Sequence, residues 1–243
     1  MEDKTPVFGE RKPPDFTSRM DRWQIWVMLL YLPIHAFGLP LLMGLACERG
    51  YMGLGMANFW IYAVGFVLTV AVLWRFLRRD LDPLLDRAFV SLIEILRCYA
   101  LIWCGELIAA MFLSFFGVEG DAANNEQAIA LLREEYGPMV AATVFLAPVV
   151  EECLFRGALF GSLRHKNRAL AYAVSALAFC LYHVAAYALA DPKQLLFILE
   201  YIPAGLALAL CYERTDSIWG SIFFHMLVNA VSLWALTFLQ ELV

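Results

Sequence analysis

Long apolar runs separated by short polar segments dominate the chain. A transmembrane helix needs about 20 mainly apolar residues, and seven runs of the sequence meet this requirement. The pattern predicts an all-α fold, a polytopic transmembrane helical bundle of about seven spans. The predicted spans cover residues 23–44, 57–74, 89–116, 138–163, 170–190, 194–212 and 218–240. The third run is too long for one upright span, so we expect it to begin as an interfacial helix.

The polar segments divide the chain into three regions. Residues 1–22 are predicted to be a cytoplasmic tail without a cleavable signal peptide. Residues 23–136 comprise the first three spans and an external acidic loop, which we expect to be solvated, with a short helix capped by Asn124 or Asn125. Residues 137–243 comprise the last four spans, in which ionisable residues are concentrated.

Composition supports a lipid environment. Hydrophobic residues make up 62% of the chain and charged residues 17%, whereas a soluble domain carries about 25% charge. The net charge is -5 and no basic stripe is present, so we expect membrane lipid as a partner and no nucleic acid. The six cysteines form no CxxC pair and are interpreted as small buried hydrophobes.

Basic residues in the loops predict the orientation. Alternate loops and the N-terminal tail carry thirteen Lys and Arg residues, and the opposite loops carry three. Positive residues concentrate on the cytoplasmic side of a membrane. We therefore expect a multi-pass protein of the cell membrane with a cytoplasmic N-terminus.

The fourth span contains adjacent glutamates, which are costly inside a bilayer. Glu152 and Arg156 are four residues apart, the favourable order for an ion pair on one helix face. This pair would keep Glu152 ionised and anchored. Glu151 points about 100° away from Glu152 around the helix axis. Its carboxylate is therefore expected to face a cavity.

Two later spans carry polar residues at helical spacing. Phe179 precedes His183 by one turn and is expected to fix that helix face, while His225 and Asn229 also lie one turn apart. Counting the helical rise from each predicted span end places these residues and Glu151 in the middle of a core about 30 Å thick. We therefore expect one shared polar site within the membrane.

The residue types suit hydrolysis of an amide. A carboxylate in a low-dielectric pocket, here Glu151, can act as a general base. His183 could hold or deprotonate the water, and His225 and Asn229 could donate hydrogen bonds to the oxyanion. In this scheme Glu152 belongs to the catalytic set, with Arg156 in support.

A metal-dependent alternative uses the same residues. Glu151, His183 and His225 could provide three ligands to zinc with an open water position. The HExxH motif is absent. The sequence leaves metal-bound and glutamate-activated water open and assigns no certain cofactor. The amide of Asn229 favours the metal-free version, since it suits an oxyanion hole better than a zinc shell.

Three patterns occur in order: Glu-Glu-x-x-x-Arg at 151–156, Phe-x-x-x-His at 179–183 and His-x-x-x-Asn at 225–229. With their flanks, about residues 140–231, they resemble the CPBP family of CAAX-processing and bacteriocin-processing intramembrane proteases, also called Abi. The resemblance implies a catalytic core in residues 137–243 that cuts membrane-associated peptides or lipidated proteins, such as prenylated CAAX proteins or leader peptides. It also keeps an eighth span open, as expected of the eukaryotic enzyme, although the compact length is more typical of bacterial members.

Other functions fit a buried polar cluster less well. A non-catalytic membrane immunity or peptide-binding protein is the main alternative, and a proton-coupled transporter ranks below it because no inverted repeat is visible. Among the remaining intramembrane polar residues, His35 is expected to fill a kink between two prolines. Glu106 and Glu200 are expected to make structural hydrogen bonds.

Overall fold

Every regular element in the described part of the chain is a helix. A computed structural model describes residues 16–118, 120 and 122–241, with the backbone alone for 236–241. The helices are α1 (Arg22–Glu48), α2 (Leu54–Arg79), α3 (Asp82–Asp86), α4 (Ala88–Phe115), α5 (Ala123–Glu134), α6 (Tyr136–Arg164), α7 (Arg168–Ala188), α8 (Pro192–Thr215) and α9 (Ile218–Glu241).

The predicted spans agree with these helices. Among the described residues, seven helices are long and apolar enough to cross a membrane, which confirms the all-α bundle of about seven spans. The predicted bounds fall inside the observed helices or within two residues of their ends. The third run forms one continuous helix, α4, of 28 residues.

Helix α6 occupies the centre of the bundle. Of its most apolar stretch 67% is buried, compared with 11% for α1, and α1, α2, α7 and α9 pack around it. The sequence permits this because small residues of α6 let other segments come close. Gly157 lies against Met20, and Gly161 lies against the Tyr212 ring of α8. The helix that carries the two adjacent glutamates is thus the most enclosed one.

The outer surface of the bundle is strongly apolar. Ile108 and Phe115 of α4 are 67% and 84% exposed, and Leu41 of α1 is 68% exposed. Contiguous apolar surface of this kind is rare on soluble monomers and is expected where a protein meets lipid. The surface therefore supports a multi-pass membrane protein.

The acidic segment after α4 differs from the prediction. The short helix expected there is present as α5, with twelve residues. Leu131 and Leu132 are buried, so the expectation that the segment is solvated is wrong. The predicted asparagine cap is also wrong, because Ala122 occupies the N-cap position. Asn124 and Asn125 instead bond the Tyr201 hydroxyl of α8, at 3.3 and 2.8 Å.

Residues just before α1 bind residues at the C-terminal end of α8. The backbone N–H groups of Thr17 and Ser18 donate to Asp216 at 2.7 and 2.9 Å, and the Ser18 hydroxyl bonds that of Tyr212 at 2.7 Å. The predicted tail therefore ends in a docked segment; residues 1–15 lie outside the described part. The buried core contains residues from both halves of the chain. The division of the chain into three regions at residues 22 and 136 stays a prediction.

Candidate functional site

Glu152 is the best-bonded side chain of the site and is fully buried. Its Oε1 accepts from Nη1 of Arg156 at 3.0 Å and from Nδ1 of His225 at 2.8 Å. Its Oε2 accepts a short hydrogen bond from the Ser221 hydroxyl. The carboxylate thus connects α6 to α9 and holds the His225 ring in place.

Arg156 compensates the charge of Glu152 without any contact with water. Its Nη2 donates to the carbonyl of Gly205 at 3.1 Å, and its guanidinium lies 4.4 Å from the centre of the Phe179 ring. The i,i+4 ion pair expected from the sequence is therefore present, with both side chains 0% exposed. A buried ion pair is stable only with such additional partners.

The bond to Glu152 determines which nitrogen of His225 is free. An ionised carboxylate can only accept, so Nδ1 carries a hydrogen. The other nitrogen, Nε2, lies 4.0 Å from Oε2 of Glu151. This distance is too long for a direct hydrogen bond but leaves room for one small molecule to hydrogen-bond both atoms. Glu151 is 3% exposed, and its Oε1 accepts from the Tyr62 hydroxyl at 2.8 Å.

His183 reaches the same region from α7. Its Nδ1 donates to the carbonyl of Phe179 at 2.8 Å, so Nε2 of the neutral ring is an acceptor. The Phe179 ring touches both imidazoles, at centroid distances of 4.4 Å to His183 and 6.0 Å to His225. His183 also stacks on Tyr201, with ring centroids 4.6 Å apart. Phe179 therefore packs against both imidazole rings.

Asn229 has a structural partner that the sequence did not suggest. Its Nδ2 donates to the carbonyl of Thr143 at 2.8 Å. That carbonyl lies in a π-helical turn, Ala141–Leu146, in which Ala147 N–H bonds the carbonyl of Ala142. The next N–H in this register would belong to Pro148, which has none. One amide hydrogen of Asn229 thus replaces the missing helix bond, and the second hydrogen is left for another acceptor.

Several site residues escaped the sequence analysis. Ser221 precedes His225 by one turn, so the helical spacing of α9 could have identified it. Tyr62 and Tyr182 carried no comparable signal, because tyrosines in apolar spans are common. The expectation for His35 is incomplete: it occupies a π-helical turn, Ile34–Gly38, but it also bonds the Tyr182 hydroxyl at 3.2 Å.

The predicted metal ligands do not form a ligand set in this arrangement. Among the described residues, no three His, Cys, Asp or Glu side chains converge on a point that could hold a metal ion. Glu151 and His225 approach each other, but His183 is held by its bond to Phe179 and its stacking on Tyr201. We therefore derive no step through a metal.

Fold and site together define a helical membrane protein with a buried polar centre of two glutamates, two histidines, an arginine and an asparagine on α6, α7 and α9. Comparison with known family models gives a match in the region that carries these residues. Residues 134–231 match the family model described as Type II CAAX prenyl endopeptidase Rce1-like. The match confirms the family resemblance that the three motifs indicated.

Two curated relatives extend the comparison. The chain is 27% identical over 229 residues to "Putative membrane peptidase YdiL" of Bacillus subtilis (strain 168), covering 86% of this chain and 87% of the relative. It is 31% identical over 96 residues to "UPF0177 protein YaiH" of Lactococcus lactis subsp. lactis (strain IL1403), covering 40% of this chain and 36% of the relative. No solved structure matches the chain significantly. The family and the first relative support an intramembrane protease.

Proposed function

We propose that the protein is an intramembrane endopeptidase in which Glu151 activates the attacking water. The observation that carries this proposal is the position of Glu151. It is buried, and its Oε2 faces Nε2 of His225 across 4.0 Å. A water about 2.8 Å from each atom fits this gap. Glu152 and Arg156, already bonded to each other, support the site from behind.

Charge balance defines the state of the site. Glu151 and Glu152 bring two negative charges, and Arg156 brings one positive charge. Since an uncompensated buried charge is expensive, one further proton completes the set. We place it on Nε2 of His225, whose Nδ1–H is held by Glu152 at 2.8 Å. The ring can then donate a hydrogen bond from Nε2. The predicted role of His225 at the oxyanion requires such a donor.

We propose the following reaction for these residues. Glu151 takes a proton from water while the water oxygen bonds the scissile carbonyl carbon. Nε2 of His183 accepts a hydrogen bond from the O–H that this oxygen keeps. Nε2–H of His225 and the free amide hydrogen of Asn229 stabilise the oxyanion. The C–N bond breaks as Glu151 returns its proton to the leaving amine.

The family resemblance supports a proposal for the substrate class. We propose a membrane-associated peptide or lipidated protein, either a prenylated CAAX-type chain or a leader peptide. Purified protein in lipid vesicles should be offered matched peptides with and without the prenyl group. Cleavage restricted to the prenylated peptide favours the first class, and equal cleavage of both favours the second.

Membranes from cells that carry wild type or Glu151→Gln test the activity itself. Mass spectrometry should find peptide termini produced by the wild type that the variant does not produce. Glu106→Gln is the matched control, because Glu106 is a partly buried glutamate of α4 outside the site. Wild-type termini produced by Glu151→Gln would contradict the proposal. An unchanged phenotype in that variant would favour a non-catalytic immunity or peptide-binding protein.

We also propose a cytoplasmic N-terminus, based on the thirteen-to-three distribution of basic residues. An epitope placed before residue 1 should be digested by protease only in inside-out vesicles. Digestion in intact cells would contradict this orientation.

A further inference from the structure

A chain of hydrogen bonds leads from the first span to Glu151. The Tyr62 hydroxyl of α2 bonds Oε1 of Glu151 at 2.8 Å and the Tyr182 hydroxyl of α7 at 3.0 Å. Tyr182 in turn bonds Nε2 of His35 at 3.2 Å. The opposite ring nitrogen, Nδ1, bonds the Tyr31 hydroxyl at 3.2 Å. Four helices thus contribute to one continuous polar path within an apolar bundle.

Counting hydrogens gives this path one direction. The carboxylate only accepts, so Tyr62 uses its single hydrogen on Glu151 and must accept from Tyr182. Tyr182 has then used its hydrogen as well and must accept from Nε2–H of His35. In the neutral ring Nδ1 is bare and accepts from Tyr31. Every hydroxyl hydrogen therefore points toward Glu151.

The surrounding packing holds the His35 ring in this orientation. The ring is 0% exposed, stacks on Tyr182 at 5.9 Å with an interplanar angle of 12°, and meets the edge of Tyr62 at 5.3 Å. Gly65 of α2 provides the room, because a Cβ at that position would lie 2.8 Å from the Tyr31 hydroxyl and 3.4 Å from the ring. A ring enclosed in this way cannot turn to exchange its partners.

We infer that Tyr62, Tyr182 and His35 are positioning residues that aim Glu151 at His225. The bond from Tyr62 occupies Oε1, which leaves Oε2 facing Nε2 of His225. This inference rests on the proposed function. His35 and Tyr62 lie before residue 134, outside the region that the family model matches. The first two helices therefore complete the site, in addition to enclosing it.

Kinetics of Tyr62→Phe test the positioning role, since the substitution removes one oxygen and no carbon. We expect kcat for peptide cleavage to fall about tenfold or more, the effect of losing a hydrogen bond to a charged group, with KM within about twofold of wild type. Tyr172→Phe is the matched control, because Tyr172 donates to Glu213 at 2.6 Å outside the site. Equal kcat values for wild type and Tyr62→Phe would overturn the inference.

Nitrogen-15 NMR of labelled histidine gives a result that does not depend on activity. His35, assigned by its loss in His35→Asn, should show a protonated Nε2 and an unprotonated Nδ1. In Tyr62→Phe the Tyr182 hydroxyl loses its acceptor and can donate to the ring, so the hydrogen should move to Nδ1. A wild-type ring protonated on Nδ1 alone would refute the path. If no peptide is cleaved by wild type, the proposed function fails, and the spectrum still decides whether the path exists.

Discussion

Replacement of Arg156 by methionine tests the most enclosed charges of the protein. Arg156→Met keeps most of the side-chain volume and removes the charge that balances Glu152, while both positions are 0% exposed. It also removes the donor to the Gly205 carbonyl at 3.1 Å. Removing one partner of a buried ion pair costs about 3–5 kcal/mol. For a chain of this size the melting temperature should fall by about 6–20 °C.

The seven tryptophans allow this unfolding to be followed by intrinsic fluorescence in one detergent. Arg97→Met is the matched control: Arg97 also pairs with a glutamate on its own helix, at 2.7 Å, but its side chain is 65% exposed. Its loss should cost less than about 1 kcal/mol. The double variant Glu152→Gln/Arg156→Met removes both charges and should recover at least half of the loss. A decrease of the melting temperature by less than about 2 °C in Arg156→Met would contradict this prediction. An equally low melting temperature in the double variant would contradict it as well.

Three further predictions concern stability. Asn229→Ala should cost about 1 kcal/mol by leaving the partly buried carbonyl of Thr143 without its partner. The cost should be smaller in a Pro148→Ala background, where a backbone N–H is restored; equal costs would contradict the proline argument. Gly205→Leu should lower the melting temperature because even a Cβ would lie 3.2 Å from the α7 backbone, whereas Gly44→Leu, with no atom within 4 Å, should not. Partial burial and two nearby arginines lower the pKa of His165. The neutral form of His165 therefore contributes stability at pH values above the ordinary pKa of histidine, and this contribution declines as the pH falls below that pKa. In His165→Gln the decline of the free energy of unfolding between about pH 7 and about pH 5 should be flatter.

Part of the site was predictable because helical spacing is a local property. The i,i+4 pairs Glu152–Arg156 and His225–Asn229 follow from 3.6 residues per turn. The partners across helices were not predictable in this way. The bond of His225 to Glu152 joins residues 73 positions apart, and that of Tyr62 to Glu151 joins residues 89 positions apart. No spacing rule relates positions on different helices.

The errors have the same origin. The acidic composition of the segment predicts a solvated loop, but Leu131 and Leu132 of α5 are buried. The asparagines expected to cap that helix are used by Tyr201 of α8 instead. Local capping preference was outweighed by tertiary contacts, as happens often with polar residues that have a partner nearby in space.

The sequence by itself determined the number of spans, the helical fold and the helices that carry the ionisable residues, because these depend on hydrophobic length and period. Only the tertiary structure decided which atoms meet: that Glu152 holds Nδ1 of His225, and that Asn229 bonds a carbonyl orphaned by a proline. It also decided that His35 belongs to the path toward Glu151. The physical reason is that a hydrogen bond requires two atoms within about 3 Å, and the packing of separate helices alone sets that distance.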